Sequence, residues 1–240
     1  MSSQTASVTY GPYGRFALGY SSNSYDNAHW QNGAGDPVIN FNFGDDNGGF
    51  GEVALGYDWQ NGIRGELAFA RFGDADAVGP CGSASNGSAC NTHANITGGS
   101  ISSTTIMGNV YYAPMEFSGN NSVFQPFLTA GVGVAMNDVG VWTRTANPGN
   151  PTLRPVRSFS SSTETSFAWS LGLGASWQVT RPGQHPVILE MSYRYFDLGE
   201  AQGGATPLPG NDAGTPLTPL TYDNTRQVIS IGVRIPLQRL

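Results

Sequence analysis

Lysine is absent: all 11 cationic side chains of the 240-residue chain are Arg. Set against 17 acidic residues they leave a formal charge of −6, so the basic patch of a nucleic-acid binder is missing and a phosphate-rich partner is disfavoured. Charge of either sign is scarce, at 12% of residues. No stretch approaches eighteen consecutive apolar residues, which excludes a membrane-spanning helix. The opening residues, MSSQTA, lack the apolar centre of a secretion signal, as expected of an unexported chain or of a mature or engineered one. Neither a phosphate-binding Gly motif nor a paired-Cys metal motif is found, and no cofactor is expected. Cysteine is limited to Cys81 and Cys90, in the flexible stretch PCGSASNGSAC. A short disulfide closes readily there and would place the chain in an oxidising compartment; the alternative is two free thiols, since a metal would need more ligands than nearby His93.

What the chain has is glycine, 33 residues of it, and 39% hydrophobic residues, a composition suited to one large β-domain over 1–240. Period-two alternation marks eight segments, at about 8–20, 48–59, 61–72, 102–113, 124–137, 164–179, 186–198 and 226–237. Connections alternate in length. After the first, third, fifth and seventh segments come roughly 25 to 30 residues rich in Gly, Asn, Ser, Asp and Pro, whereas the others are short and contain turn pairs such as Asn61-Gly62 and Pro182-Gly183. Membrane barrels share this rhythm of short turns on one side and long loops on the other.

Sorting by parity separates an apolar face from a small, polar and charged one. The apolar face carries, among others, Leu18, Leu55, Leu67, Val110, Leu128, Leu173, Met191 and Ile231. Its aromatic residues Tyr20, Tyr57, Trp59, Tyr112, Trp169, Trp177, Tyr193 and Tyr195 lie near segment ends, where aromatic girdles belong. A lipocalin-like soluble barrel would turn this face inward and leave a surface of Gly, Ala and Ser; a membrane barrel turns it to lipid and accounts for the girdles. The expected fold is all-β, an eight-stranded antiparallel up-and-down transmembrane barrel with four long external loops and three short periplasmic turns.

Energetics then fix where the charges go. An Arg facing lipid at mid-depth costs roughly 2–4 kcal/mol, so exposing several would exceed a typical folding stability of about 5–15 kcal/mol. Arg15, Glu52, Arg64, Glu66, Glu190, Arg194 and Arg234 are therefore assigned to the lumen, as a charge network in roughly one layer, with the planar forks of Arg bonding several carboxylates. Such a layer serves as a structural plug or, if the partners exchange, as a gate; Gly residues on the fifth and sixth segments leave room for the latter.

Certain stretches resemble a known family: Gly56-Tyr57 before a short turn and Gly65-Glu66-Leu67 after it, Pro126-Phe127-Leu128 running into residues 130–134 (AGVGV), residues 193–199 (YRYFDLG), and the closing residues 229–234 (ISIGVR). They are similar to the eight-stranded outer-membrane barrels related to the transmembrane part of outer-membrane protein A and to the opacity-type surface antigens of Gram-negative bacteria. The resemblance implies a bacterial outer-membrane location, insertion by the barrel-assembly machinery, contact with outer-membrane lipid and lipopolysaccharide, and a role in envelope integrity, adhesion or slow solute leakage. The chain departs from the family in ending on residues 236–240 (PLQRL) rather than an aromatic residue, and no peptidoglycan-binding domain is expected after the eighth segment.

The function expected is thus that of a non-enzymatic surface protein, structural, adhesive or recognising a host or cell-surface ligand through its long loops, its lumen closed by the Arg/Glu network. A small-solute or ion porin is the alternative, and a lipid A-modifying enzyme the third reading. The enzyme would need a His as base, and His29 has Ser21, Ser22, Ser24 and Asp26 nearby; His93 and His185 are the others. Asp45-Asp46-Asn47 and Asp74-Ala75-Asp76 are candidate weak Ca²⁺ sites without a complete motif, and Arg71, Arg144, Arg154 and Arg157 are candidate contacts for lipopolysaccharide phosphates.

Overall fold

Alternating side chains need a partner strand on each edge, and in this chain the pairing closes on itself. The computed structural model describes residues 11–90, 95–146, 156–180, 184–210 and 214–237. His93, Arg154 and the Pro182-Gly183 turn lie outside the described residues. Among the described residues eleven strands run in chain order: β1 (Gly11–Gln31), β2 (Ile39–Phe41), β3 (Asp46–Asp58), β4 (Ile63–Ala84), β5 (Asn95–Tyr112), β6 (Phe124–Val139), β7 (Trp142–Ala146), β8 (Arg157–Phe159), β9 (Ser162–Gln178), β10 (Ile188–Gln202) and β11 (Thr218–Pro236). The eight long strands pair antiparallel with their chain neighbours, β11 returns to β1, and the β4–β5 pairing completes the ring. No edge is left among these eight, which is how a barrel satisfies its backbone in lipid. Among the described residues no helix is long and apolar enough to cross a membrane.

The apolar face points outward. Leu55 is 69% exposed, Phe167 67% and Leu67 64%, while the alternate positions Ala54, Ala68 and Ala168 are buried. On β9 the outward apolar positions run from Phe167 to Trp177; at roughly 2.6 Å of axial rise per tilted residue this spans about 26 Å, matching the roughly 25 Å apolar band of outer-membrane barrels. Tyr57 and Trp59 pack together near the short-turn end, 5.7 Å between ring centroids, as do Tyr112 and Phe117 at 5.3 Å. Near the other end Trp169 lies 5.5 Å from Tyr195; Tyr20 is exposed and Tyr193 donates its hydroxyl to Gln227 Oε1 at 2.7 Å. Trp177 is exposed near the short-turn end.

The strands run further than their alternation in sequence suggests. β1 continues to Gln31, β4 to Ala84 and β10 to Gln202, so much of each long connection is sheet rather than loop. Register shifts interrupt the pairing between Asp26 and His29, between Phe72 and Ala75, and between Asp197 and Glu200. Each bulge moves the inward parity by one: Phe72 is followed inside by Ala75 and Ala77, and Leu198 by Ala201. The short strands extend this upper wall, β2 against β1 and β4, β7 against β5, and β8 against β7. Cys81, on β4, is disulfide-bonded to Cys90, their Cα atoms 5.7 Å apart. At the opposite end, a one-turn helix Pro114–Phe117, begun by Pro at its first position, links β5 to β6. Gly62 closes the β3–β4 turn with φ +75°, a conformation glycine adopts freely.

Candidate functional site: the barrel interior

Inward positions of β1, β3, β4, β10 and β11 bring the sequence-assigned charges into one connected lattice. Arg15 bonds Glu52 and, from Nη2 at 2.9 Å, Glu66; its Nε lies 3.9 Å from Glu190. Arg194 Nη1 donates to Glu52 Oε2 at 2.9 Å. Arg234 Nε donates to Glu190 Oε1 at 3.0 Å. Arg64 Nη2 sits 2.9 Å from the same Glu190 oxygen, an ion contact in which the N–H is directed off the hydrogen-bond line. All seven side chains are buried.

Three further inward residues complete the lattice and were not assigned from sequence. Asp58 accepts from Arg234 Nη1 at 2.9 Å, bringing the count to four cations (Arg15, Arg64, Arg194, Arg234) against four anions (Glu52, Asp58, Glu66, Glu190). Tyr13 and Tyr111 donate their hydroxyls to Glu66 at 3.1 and 2.6 Å. Parity signals all three: Asp58 continues Glu52, Ala54 and Gly56, Tyr13 precedes Arg15 by two, and Tyr111 follows Asn109 by two. Arg64 is also stacked against rings, 4.2 Å from the centroid of Tyr111 and 4.8 Å from that of Phe127. Below the lattice, at the short-turn end, half-buried Glu116 has its carboxyl pushed up, first by burial and then by the charge of Asp58.

The space that glycines on β6 and β9 open, which partner exchange would need, is filled. A Cβ on Gly172 would lie 2.5 Å from Arg194 Cγ, one on Gly174 2.5 Å from the Phe127 ring, and one on Gly131 would strike Asn109 Oδ1. Arg194 Nη2 uses that space to reach Asn109 Oδ1 and Ser170 Oγ, both at 3.0 Å.

Above the charges, toward the long connections, the interior turns apolar. Phe50, Phe72, Phe196, Leu198, Met107 and Val228 form a buried cluster, with the Phe72 ring 5.2 Å from both Phe50 and Phe196. A polar tier of Ser21, Asn23, Ser103, Asn137, Asn224 and Arg226 follows. An aromatic cap ends the column: Trp142 stacks on Phe159 at 4.2 Å, Trp30 packs edgewise on Trp142, and Trp142 Nε1 donates to Gly204 O at 2.8 Å.

The other candidates disperse. His29 Nδ1 lies 2.6 Å from the Asn27 carbonyl, Ser24 donates to Asp45 at 2.9 Å, and Ser21 donates to Asn23 at 2.6 Å inside the barrel. Among the described residues no hydrogen bond joins His29 to Ser21, Ser22 or Ser24, and His185 faces the Pro186 carbonyl at 3.3 Å. Asp46 accepts the Asp76 N–H at 2.6 Å, and no group of three or more metal-ligating side chains occurs among the described residues. Arg71 donates to Thr104 and Ser102, whereas Arg144 is buried with its guanidinium 4.1 Å over Trp30 and is not a free surface charge.

Comparison with known proteins fits this geometry. Residues 1–234 match the family described as outer membrane protein beta-barrel domain. Outer membrane protein PagN of Salmonella typhimurium is 30% identical over 154 residues, covering 62% of this chain and 57% of PagN, so the match spans little more than half of that relative's length. Among solved structures, Neisserial surface protein A superposes with a TM-score of 0.53 at 16% identity, and OprG from Pseudomonas aeruginosa with 0.52 at 17%; each alignment covers 95% of this chain and 97% of the other. These two likenesses concern the fold.

Proposed function

The chain belongs to the outer membrane protein β-barrel domain family and resides in the bacterial outer membrane, and from that premise we propose that it is a non-enzymatic surface protein acting through its external end, over a lumen that does not conduct. The observation carrying this reading is the packed interior: a charge-balanced lattice, an apolar tier on top of it, and an aromatic cap. An ion entering the lumen would have to shed water against Phe50, Phe72 and Phe196, which offer it nothing in return. On this reading 1–240 forms a single barrel unit and the lattice is structural.

Recognition then belongs to the loops that the extended strands lift away from the bilayer. Asp36, Asp45, Asp74, Asp138, Glu164 and Asp223 crowd that end, so its ligand is a neutral or cationic group on a host or neighbouring cell rather than a phosphate-rich polymer. Lipid and lipopolysaccharide surround the wall. The test combines two measurements on the same preparation. In planar bilayers the protein is expected to give no steady channels; on cells, grafting residues 32–38, 85–94 and 203–217 onto another barrel is expected to transfer surface binding. Stable conductance altered by Glu190→Ala would favour the porin instead, and turnover of lipid A lost in His29→Ala would favour the enzyme.

A further inference from the structure

Arg226, on β11 above the apolar tier, is 1% exposed and has no carboxylate within ion-pair distance among the described residues. Its Nε donates to Asn224 Oδ1 at 2.9 Å, but neither Nη1 nor Nη2 finds an acceptor there. The nearest rings, Tyr25 and Phe72, have centroids 5.8 and 5.9 Å away, at the limit of useful cation–π attraction. Guanidinium holds its proton at any ordinary pH, and leaving it buried without a counter-charge is costly.

The neighbours are donors too. Asn23, opposite Arg226 in the β1–β11 register, has its Oδ1 engaged by Ser21, and its Nδ2 faces the Tyr25 hydroxyl without a well-aligned hydrogen bond. The Tyr222 hydroxyl is likewise buried without a partner, and that of Tyr25, whose ring lies 5.5 Å from Tyr222, meets only the Asn23 amide. The local amide oxygens are already engaged, Asn224 Oδ1 by Arg226 Nε, and Asn137 Oδ1 by Ser103 and Asn224. Asp46 is the carboxylate whose field reaches Arg226, yet it forms no ion pair with it and accepts the Asp76 N–H at the exposed edge.

The geometry points to a buried anion site: a single halide-sized monovalent anion held by Arg226 Nη1 and Nη2, Asn23 Nδ2 and the hydroxyls of Tyr25 and Tyr222. Water would satisfy the N–H groups but not the charge. Rings close the site on both sides, Phe50, Phe72 and Phe196 below and Tyr25, Phe43 and Tyr222 above, which favours a small ion over a tetrahedral oxyanion. Enclosed on both sides, the ion is a structural component taken up on folding.

The test refolds the full chain in detergent in sodium chloride, sodium bromide or sodium gluconate at equal ionic strength, and crystallises it from bromide. The expected results are an anomalous bromide peak beside the Arg226 guanidinium and an unfolding midpoint several degrees higher in halide than in gluconate. Arg226→Met is expected to abolish both. Should that variant not fold, Tyr222→Phe, which keeps the ring, weakens halide binding roughly tenfold through loss of one hydrogen bond. Equal midpoints in halide and gluconate with no anomalous peak would overturn the assignment in favour of Asp46 and water, and halide dependence undiminished in both variants would place the binding elsewhere.

Discussion

Glu190 is the residue through which the interior lattice is most easily broken. One of its oxygens serves both Arg64, at 2.9 Å, and Arg234, at 3.0 Å, while the other faces Arg15 at 3.9 Å. Glu190→Ala turns four cations against four anions into four against three. The loss is unevenly shared. Arg234 keeps Asp58 and Arg15 keeps Glu52 and Glu66, but Arg64 retains only the faces of Tyr111 and Phe127. Stranding one member of a buried pair costs about 3–5 kcal/mol, and stacking on two rings offsets no more than about 1–2 kcal/mol of it. The expected destabilisation is therefore about 3 kcal/mol. Replacing both partners, Arg64→Met with Glu190→Met, removes the stranded charge and is expected to stay within roughly 1 kcal/mol of the parent. Urea titration of the folded protein in lipid vesicles, read by tryptophan fluorescence and the heat-modifiable gel shift, measures all variants. A Glu190→Ala cost below about 1 kcal/mol, or a double variant equal to the sum of the singles, would refute the reasoning.

Three other outcomes follow from the same architecture. Leu67→Arg puts a guanidinium on the outward face near mid-depth and is expected to cost about 2–4 kcal/mol in vesicles, against little effect from Leu67→Val, by the same urea titration. Phe72→Ala opens a cavity beside Phe50 and Phe196 and is expected to cost about 3–5 kcal/mol, with conductance in planar bilayers as a check on whether this tier is the seal. Glu116, outside the lipid-spanning wall, has a folded-state carboxyl raised by burial and by Asp58. The folded protein therefore holds this proton more tightly than the unfolded chain. The resulting penalty is absent below the unfolded value of 4.5 and develops as pH rises through the raised folded value. Glu116→Gln is expected to be neutral at pH 4 and to stabilise by no more than about 0.5 kcal/mol at pH 7, read from midpoints at the two pH values.

Within the lipid band the alternation of the sequence carried nearly all of the fold, because each strand there has one neighbour that must be apolar and one that must not. Leu189, Met191 and Tyr193 alternate with Glu190, Ser192 and Arg194, and the β9–β10–β11 register keeps each set on one face. Beyond the outer girdle the signal fails for two physical reasons. Outside lipid there is no demand for apolar residues on the outward face, so Ser22 and Ser24 replace the pattern set by Leu18 and Tyr20. The bulges at Asp26, Phe72 and Asp197 then invert the inward parity, which makes the strand continuations read as loop. The aromatic cap was hidden for this reason: Trp30, Trp142 and Phe159 meet only through β1, β7 and β8, distant in sequence and paired across bulged or short strands. Asp58, Tyr13 and Tyr111, by contrast, share the parity of the charged face and were legible in principle.

Guanidinium and carboxylate groups share the inside of the cylinder while the alternate residues touch hydrocarbon. Single cysteines introduced from position 188 to 196 of β10, in a background lacking Cys81 and Cys90, and each bearing a fluorophore quenched by brominated lipid, test it most directly. Strong quenching at 189, 191 and 193 with weak quenching at 190, 192 and 194 is the predicted result. Quenching of the opposite parity, or none that alternates, would contradict the account.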